Sequence, residues 1–144
     1  FGELLSVSTL MQTEQVCPAV VVHCIDFRFR NKLNAYLSSR FPQGYDLISL
    51  AGGIKSFLED GEIDNFELKQ LGISDQLHYP PLAVLIQHED CGAYGGSKAF
   101  ESLDAEIKFH CAELDKAGIL LKKHLPHQGV EKYFMRLSGK ILSV

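Results

Sequence analysis

The chain has 144 residues, 46% of them hydrophobic and 22% charged. These proportions suit one globular domain over residues 1–144 that buries a core without help from disulfides. A formal net charge of −4 with no basic cluster argues against nucleic acid as a partner. No apolar run approaches the roughly 20 residues that span a membrane. The four cysteines, Cys17, Cys24, Cys91 and Cys111, do not form the framework of a small secreted domain; they read as reduced thiols of a cytoplasmic protein, some of them metal ligands. The chain opens at Phe1 without Met or an apolar leader and is read as a processed or trimmed product, from which no targeting conclusion is drawn.

Residues 1–15 are mildly amphipathic through Leu4, Leu5, Val7, Leu10 and Met11 and predict a short helix or arm. The run from Ala19 to Ile25 is apolar and rich in β-branched residues, the pattern of a strand buried on both faces in a parallel sheet. Phe29 to Phe41 reads as a helix with Leu33, Tyr36 and Leu37 on one face, ended by Pro42 and Gly44. Tyr45 to Leu50 is a second strand, stopped by Gly52 and Gly53. Helical patterns follow through Phe57 and Leu58, then through Phe66, Leu68 and Leu71, with Gly72 closing the second. A third apolar strand, Leu82 to Ile86, runs into Gln87-His88-Glu89-Asp90-Cys91-Gly92. A long helix is expected from Ser97 to His124, with Phe100, Leu103, Ile107, Cys111 and Leu114 on its apolar face. The tail from Tyr133 to Val144 reads as two strands joined at Ser138-Gly139. Buried strands alternating with helices predict an α/β domain: a mainly parallel sheet flanked by helices, with an antiparallel edge strand at the C-terminus.

In such sheets, sites collect beyond the carboxyl ends of the strands, where the strand order reverses. Two strand ends carry chemistry. One is Cys24-Ile25-Asp26-Phe27-Arg28; an extended backbone there would place Cys24, Asp26 and Arg28 on one side. The other is His88-Glu89-Asp90-Cys91, where a turn would bring a His and a Cys to one point. Two thiolates and one imidazole suit Zn2+, and three protein ligands leave a fourth tetrahedral position open. Zinc-bound water can ionise near neutral pH and become a nucleophile. Asp26, oriented by Arg28, would accept a hydrogen bond from zinc-bound hydroxide and aim it.

Plainer roles compete. Buried cysteine is often only a small hydrophobe, and that reading is assigned to Cys17 and Cys111. His23 is expected on the side of its strand opposite Cys24, in a structural role. His78, His110, His124 and His127 are expected as surface or helix residues, and Glu89 and Asp90 as solvated turn residues. Asp26 with Arg28 can also be read as a structural ion pair.

These segments resemble the β-class carbonic anhydrases. Cys24-Ile25-Asp26-Phe27-Arg28 is similar to that family's Cys-x-Asp-x-Arg motif, and His88-Glu89-Asp90-Cys91-Gly92 to its His-x-x-Cys-Gly motif. Leu50-Ala51-Gly52-Gly53 resembles its Ala-Gly-Asn segment, with Gly53 where Asn is usual; Leu71-Gly72-Ile73 and the tail around Ser138-Gly139-Lys140 are weaker matches. Phe27 stands where the family commonly has Ser, and no glutamine matches the one that often lines its substrate cleft. The resemblance implies zinc bound by Cys24, His88 and Cys91, with Asp26 and Arg28 as the catalytic pair and Asp26 either beside the metal or swung onto it as a fourth ligand. It implies reversible hydration of carbon dioxide to bicarbonate by a homodimer or higher homo-oligomer. Two other functions fit the same residues: hydrolysis of carbon disulfide or carbonyl sulfide, and a catalytically silent zinc-binding homologue.

Overall fold

The computed structural model describes residues 16–144, so the arm or helix expected over 1–15 lies outside the described residues. The strands are β1 (Val20–His23), β2 (Asp46–Ser49), β3 (Leu82–His88), β4 (Gly129–Met135) and β5 (Ile141–Ser143). The helices are α1 (Arg30–Arg40), α2 (Lys55–Glu59), α3 (Phe66–His78) and α4 (Leu103–His124). They build one five-stranded sheet in the order β2-β1-β3-β4-β5. The first four strands are parallel and only β5 runs antiparallel, against β4. This is the mainly parallel α/β sheet with a C-terminal antiparallel edge that the residue pattern predicts.

Alternation along the strands sorts the core into two layers. Val20, Val22, Ala83 and Leu85 face one way and pack against Ile54 and Phe57, Leu71 of α3, and Leu114, Ala117 and Leu121 of α4. Ala19, Val21, Val84, Ile86 and Met135 face the other way and meet Phe29, Leu33, Leu37 and Phe41 on and around α1. The sheet is thus covered on both faces, which is why β1 and β3 read as unbroken apolar runs. β2 is an edge strand and is only half-buried, with Leu47 exposed.

Several boundaries differ from those expected, each for a local reason. Gly72 does not end α3. The helix continues to His78 and is stopped by Tyr79 in the left-handed region (φ 47°) with Pro80 behind it, and Pro80 cannot continue a helix. The long helix begins at Leu103 rather than Ser97, because the Ser102 hydroxyl accepts a hydrogen bond from the Ala105 amide as its N-cap; Ser97–Ala99 form a separate 3-10 turn. β4 starts at Gly129, earlier than Tyr133, because it pairs with the whole of β3 from Leu82 to His88. Among the described residues no helix is long and apolar enough to cross a membrane.

Candidate metal centre

β1 lies between β2 and β3, so the chain switches direction across the sheet at β1. The carboxyl ends of β1 and β3 are neighbours, with His23 in register with Ile86. The backbone does not stay extended past β1. Asp26 caps a 3-10 turn at Phe27–Phe29, its Oδ1 accepting the Arg28 amide at 2.9 Å. Asp26 and Arg28 therefore share a side because a turn folds the arginine back, not because of strand alternation. A left-handed Asp90 (φ 59°) then turns the chain between His88 and Cys91.

These turns bring one donor atom each from Cys24, His88 and Cys91 within 4.8 Å of one another, all three residues buried. The two sulfurs are 4.0 Å apart, close to the about 3.8 Å edge that two zinc–sulfur bonds define in a tetrahedron. His88 Nδ1 lies 2.7 Å from the Glu89 carbonyl oxygen, which fixes Nδ1 as the protonated nitrogen and leaves the Nε2 lone pair free. That Nε2 is buried without a hydrogen-bond partner, and a buried, unpaired polar atom is costly unless something binds it. The donor set and the orphaned nitrogen fit a Zn2+ ion.

The thiols ionise in sequence. The Cys91 thiol draws the Cys24 thiol well below the usual range, against the opposing effect of burial, with help from His88 and from the Gly52 amide, which donates to Cys24 Sγ at 3.4 Å. Cys91, facing that thiolate and buried, is pushed up. A cation between them would let both ionise. Burial lowers His88, but the Cys24 thiolate, the Glu89 carbonyl and Asp26 outweigh it and the net direction is upward.

Asp26 lies beside this set without joining it: its Oδ2 is 3.9 Å from His88 Nε2. Arg28 grips both carboxylate oxygens, from Nε at 3.1 and 3.2 Å and from Nη2 at 2.7 Å, which holds Asp26 below the usual carboxylate range. Above them a cleft of about 780 Å³ is lined by Cys24, Asp26, Phe27 and Arg28, with Asp90 and Lys98. Phe27 is 83% exposed and Ile25 57% exposed on this cleft.

Two further residues shape the site: Gln87, which carried no expected role, and Asp90, expected only as a solvated turn residue. Gln87 is buried; its Oε1 accepts the Ile54 amide at 3.2 Å while its Nε2 donates to the Gly52 carbonyl at 3.1 Å. It thereby pins the loop whose amide faces Cys24, and a polar side chain in an otherwise apolar strand was its signal. Asp90 is no mere solvated turn residue, since Arg28 Nη1 donates to its Oδ2 at 3.0 Å and Arg28 Nη2 to its carbonyl at 2.8 Å. Nor is Glu89, which accepts from Arg136 Nε and the Leu137 amide.

The remaining candidates stand apart from the cluster. His23 is buried, with Nδ1 2.8 Å from the Cys24 carbonyl oxygen. His110 lies in α4 but is fully buried, and Glu106 with it. The buried face of α4 is Glu106, His110, Leu114, Ala117, Gly118 and Leu121, while Cys111 is only half-buried. A second donor cluster, Cys17, Asp46 and His78, sits at the opposite edge of the sheet. There the groups already have partners: Asp46 Oδ2 meets both Ser74 Oγ and His78 Nδ1 at 2.7 Å, and Cys17 donates to the Ala19 carbonyl. It lacks the orphaned buried nitrogen that marks the first cluster.

Residues 14–144 match a family model described as "Putative carbonic anhydrase". The fold is that of a β-carbonic anhydrase: a crystal structure of carbonic anhydrase from Streptococcus mutans superposes with a TM-score of 0.58 at 16% identity, covering 99% of this chain and 95% of that one. A tetrameric β-carbonic anhydrase from Sordaria macrospora superposes with a TM-score of 0.56 at 13% identity, covering 94% and 85%. An uncharacterized protein of Rickettsia conorii is 25% identical over 142 residues, covering 91% of this chain and 74% of its own. One of Rickettsia bellii is likewise 25% identical, with 91% and 84% covered. The chain belongs to the putative carbonic anhydrase family, as a divergent member of β-carbonic anhydrase fold.

Proposed function

We propose that this chain is a zinc enzyme that reversibly hydrates carbon dioxide to bicarbonate. The observation that carries the reading is the buried, partnerless His88 Nε2 beside two sulfurs, with a carboxylate held 3.9 Å away. Cys24, His88 and Cys91 would hold the ion. Bound there with an open position, zinc supplies a Lewis acid that brings the ionisation of a water to about pH 7.

The chain's own residues do the rest. The Gly52 amide supports the Cys24 sulfur, and the Glu89 carbonyl fixes the His88 tautomer. Asp26, kept ionised by Arg28, accepts a hydrogen bond from the attacking oxygen and so orients its lone pair toward the substrate carbon. The grip of Arg28 on both oxygens supports an Asp26 that stays beside the metal. The apolar side chains of Ile25 and Phe27 at the cleft suit a small linear substrate with no charge. They equally admit carbon disulfide or carbonyl sulfide, which is the second reading. We also propose that the chain works as a homodimer or higher homo-oligomer, with light scattering as the check.

Stopped-flow assays on zinc-loaded protein test the main reading. Carbon dioxide hydration between about pH 7 and 9 is expected. A zinc-loaded protein inert toward carbon dioxide that releases sulfide from carbon disulfide would transfer the assignment to the second reading.

A further inference from the structure

The loop between the second and third metal donors is held from outside the site. Asp90 is a non-glycine residue in the left-handed region (φ 59°), a conformation that persists only where its surroundings over-determine it. Here they do. Its amide donates to Glu106 Oε2 at 2.7 Å. Its Oδ1 accepts the Ser97 amide at 2.7 Å. Its Oδ2 and its carbonyl oxygen accept the two Nη groups of Arg28 at 3.0 and 2.8 Å. Ser97 Oγ also donates to Glu106 Oε1 at 2.9 Å, so both oxygens of one carboxylate are used. Gly96 (φ 76°) makes room, since a Cβ there would lie 2.9 Å from Asp90 Oδ1.

Glu106 is the far end of this chain of contacts. It sits in the first turn of α4, is 1% exposed, and is itself neither one of the clustered donors nor a residue that lines the cleft. Burying a carboxylate is costly without strong partners, and both its partners belong to the Asp90–Ser97 loop. The guanidinium of Arg28 cannot grip Asp26 and follow a displaced Asp90 at once, because its donors form a rigid planar fork.

We infer that Glu106 and Ser97 are positioning residues, acting through Asp90 and Arg28 to hold the Asp26 carboxylate at its place beside the metal donors; the kinetic form of this inference rests on the hydration chemistry proposed above. Glu106 anchors the loop to α4, the loop fixes Asp90, Asp90 fixes Arg28, and Arg28 sets Asp26. Glu106→Gln removes the charge from both anchoring bonds and reverses the one to Ser97 Oγ, whose hydroxyl accepts as well as donates, so the anchor is weakened.

The test is a double-mutant cycle on the zinc-loaded full chain. Glu106→Gln and Ser97→Ala are each expected to keep one zinc per chain and to lower kcat for hydration by about ten-fold with little change in KM. Ser97→Thr, which keeps the hydroxyl, restores most of the rate. In an Asp26→Ala background the Glu106→Gln change is expected to cost nothing further, because groups that act as one unit are not additive. Losses that multiply, or a rate that falls only as zinc is lost, would overturn the inference. A second measurement needs no activity: solvent exchange of the Arg28 Nε proton, followed by NMR, speeds up at least several-fold in Glu106→Gln. Unchanged exchange sinks the relay even if the protein proves an active hydrase. Wild-type protein without hydration activity but with faster exchange in Glu106→Gln keeps the relay and removes the proposed reaction.

Discussion

A Cβ on Gly53 would come within 2.2 Å of Gln87 Oε1. Gly53 also adopts φ 60°, which strains most side chains, so a side chain here meets a second cost besides the clash. This accounts for glycine where the family resemblance leads one to expect asparagine. The Gln87 amide fills the space and supplies the hydrogen bonds that hold the Gly52–Ile54 loop. Gly53→Ala is therefore expected to destabilise the fold by about 2–4 kcal/mol, combining backbone strain with overpacking. In a Gln87→Ala background the clash disappears and only the strain of about 1–2 kcal/mol remains. Urea denaturation of the two single variants and the double variant checks this.

Removing the metal tests the donor set. Cys24→Ser and His88→Ala are expected to bind well under one zinc per chain and to unfold at lower temperature, because a site that binds the folded chain adds its binding energy to stability. Chelation of the wild-type protein should lower its Tm in the same direction. Metal analysis alongside thermal melts decides it; a Cys24→Ser protein with stoichiometric zinc would remove Cys24 from the ligands.

Asp26 is expected to matter for rate and not for metal. Its carboxylate lies 3.9 Å from His88 Nε2 and is held by Arg28, outside the mutually close donor set. Asp26→Ala should retain full zinc and lose about 100-fold or more in kcat. If zinc content fell with it, Asp26 would be a ligand.

His110 gives the fold an acid limit. It is fully exposed to none of the solvent, surrounded by Tyr94, Phe100, Phe109 and Phe134, and neither ring nitrogen has a hydrogen-bond partner. Burial, with a smaller push from His88, holds it down to about 4 from an ordinary 6.5. Above pH 6.5 neither the folded nor the unfolded chain protonates this residue, and its contribution to stability is fully present. Between 6.5 and 4 the unfolded chain takes up a proton that the folded chain refuses, so stability falls with falling pH, by on the order of 3 kcal/mol across the window. His110→Phe, which matches the aromatic surroundings, should flatten that limb. Denaturation midpoints of both proteins at pH 7 and pH 5 provide the comparison.

Alternation and period made much of this protein legible in one dimension. The apolar runs at Val20–His23 and Leu82–His88 announce strands covered on both faces, because a parallel sheet between helices buries both sides of its strands. Cys24, His88 and Cys91 stand at the ends of those runs, so the donor types and their shared edge were also readable from the sequence. The tertiary structure decided what period cannot express. A 3-10 turn, not an extended strand, folds Arg28 onto Asp26. The buried face of α4 carries Glu106 and His110 instead of Ile107 and Cys111, because one acid answers the Asp90 loop and one imidazole fills an aromatic nest. Gln87, Asp90 and Glu106 do their work through partners distant in the chain, and hydrogen bonds at such separations leave no trace in spacing. The sequence alone named the candidate metal donors; the fold decided which of them meet, and how firmly the carboxylate beside them is held.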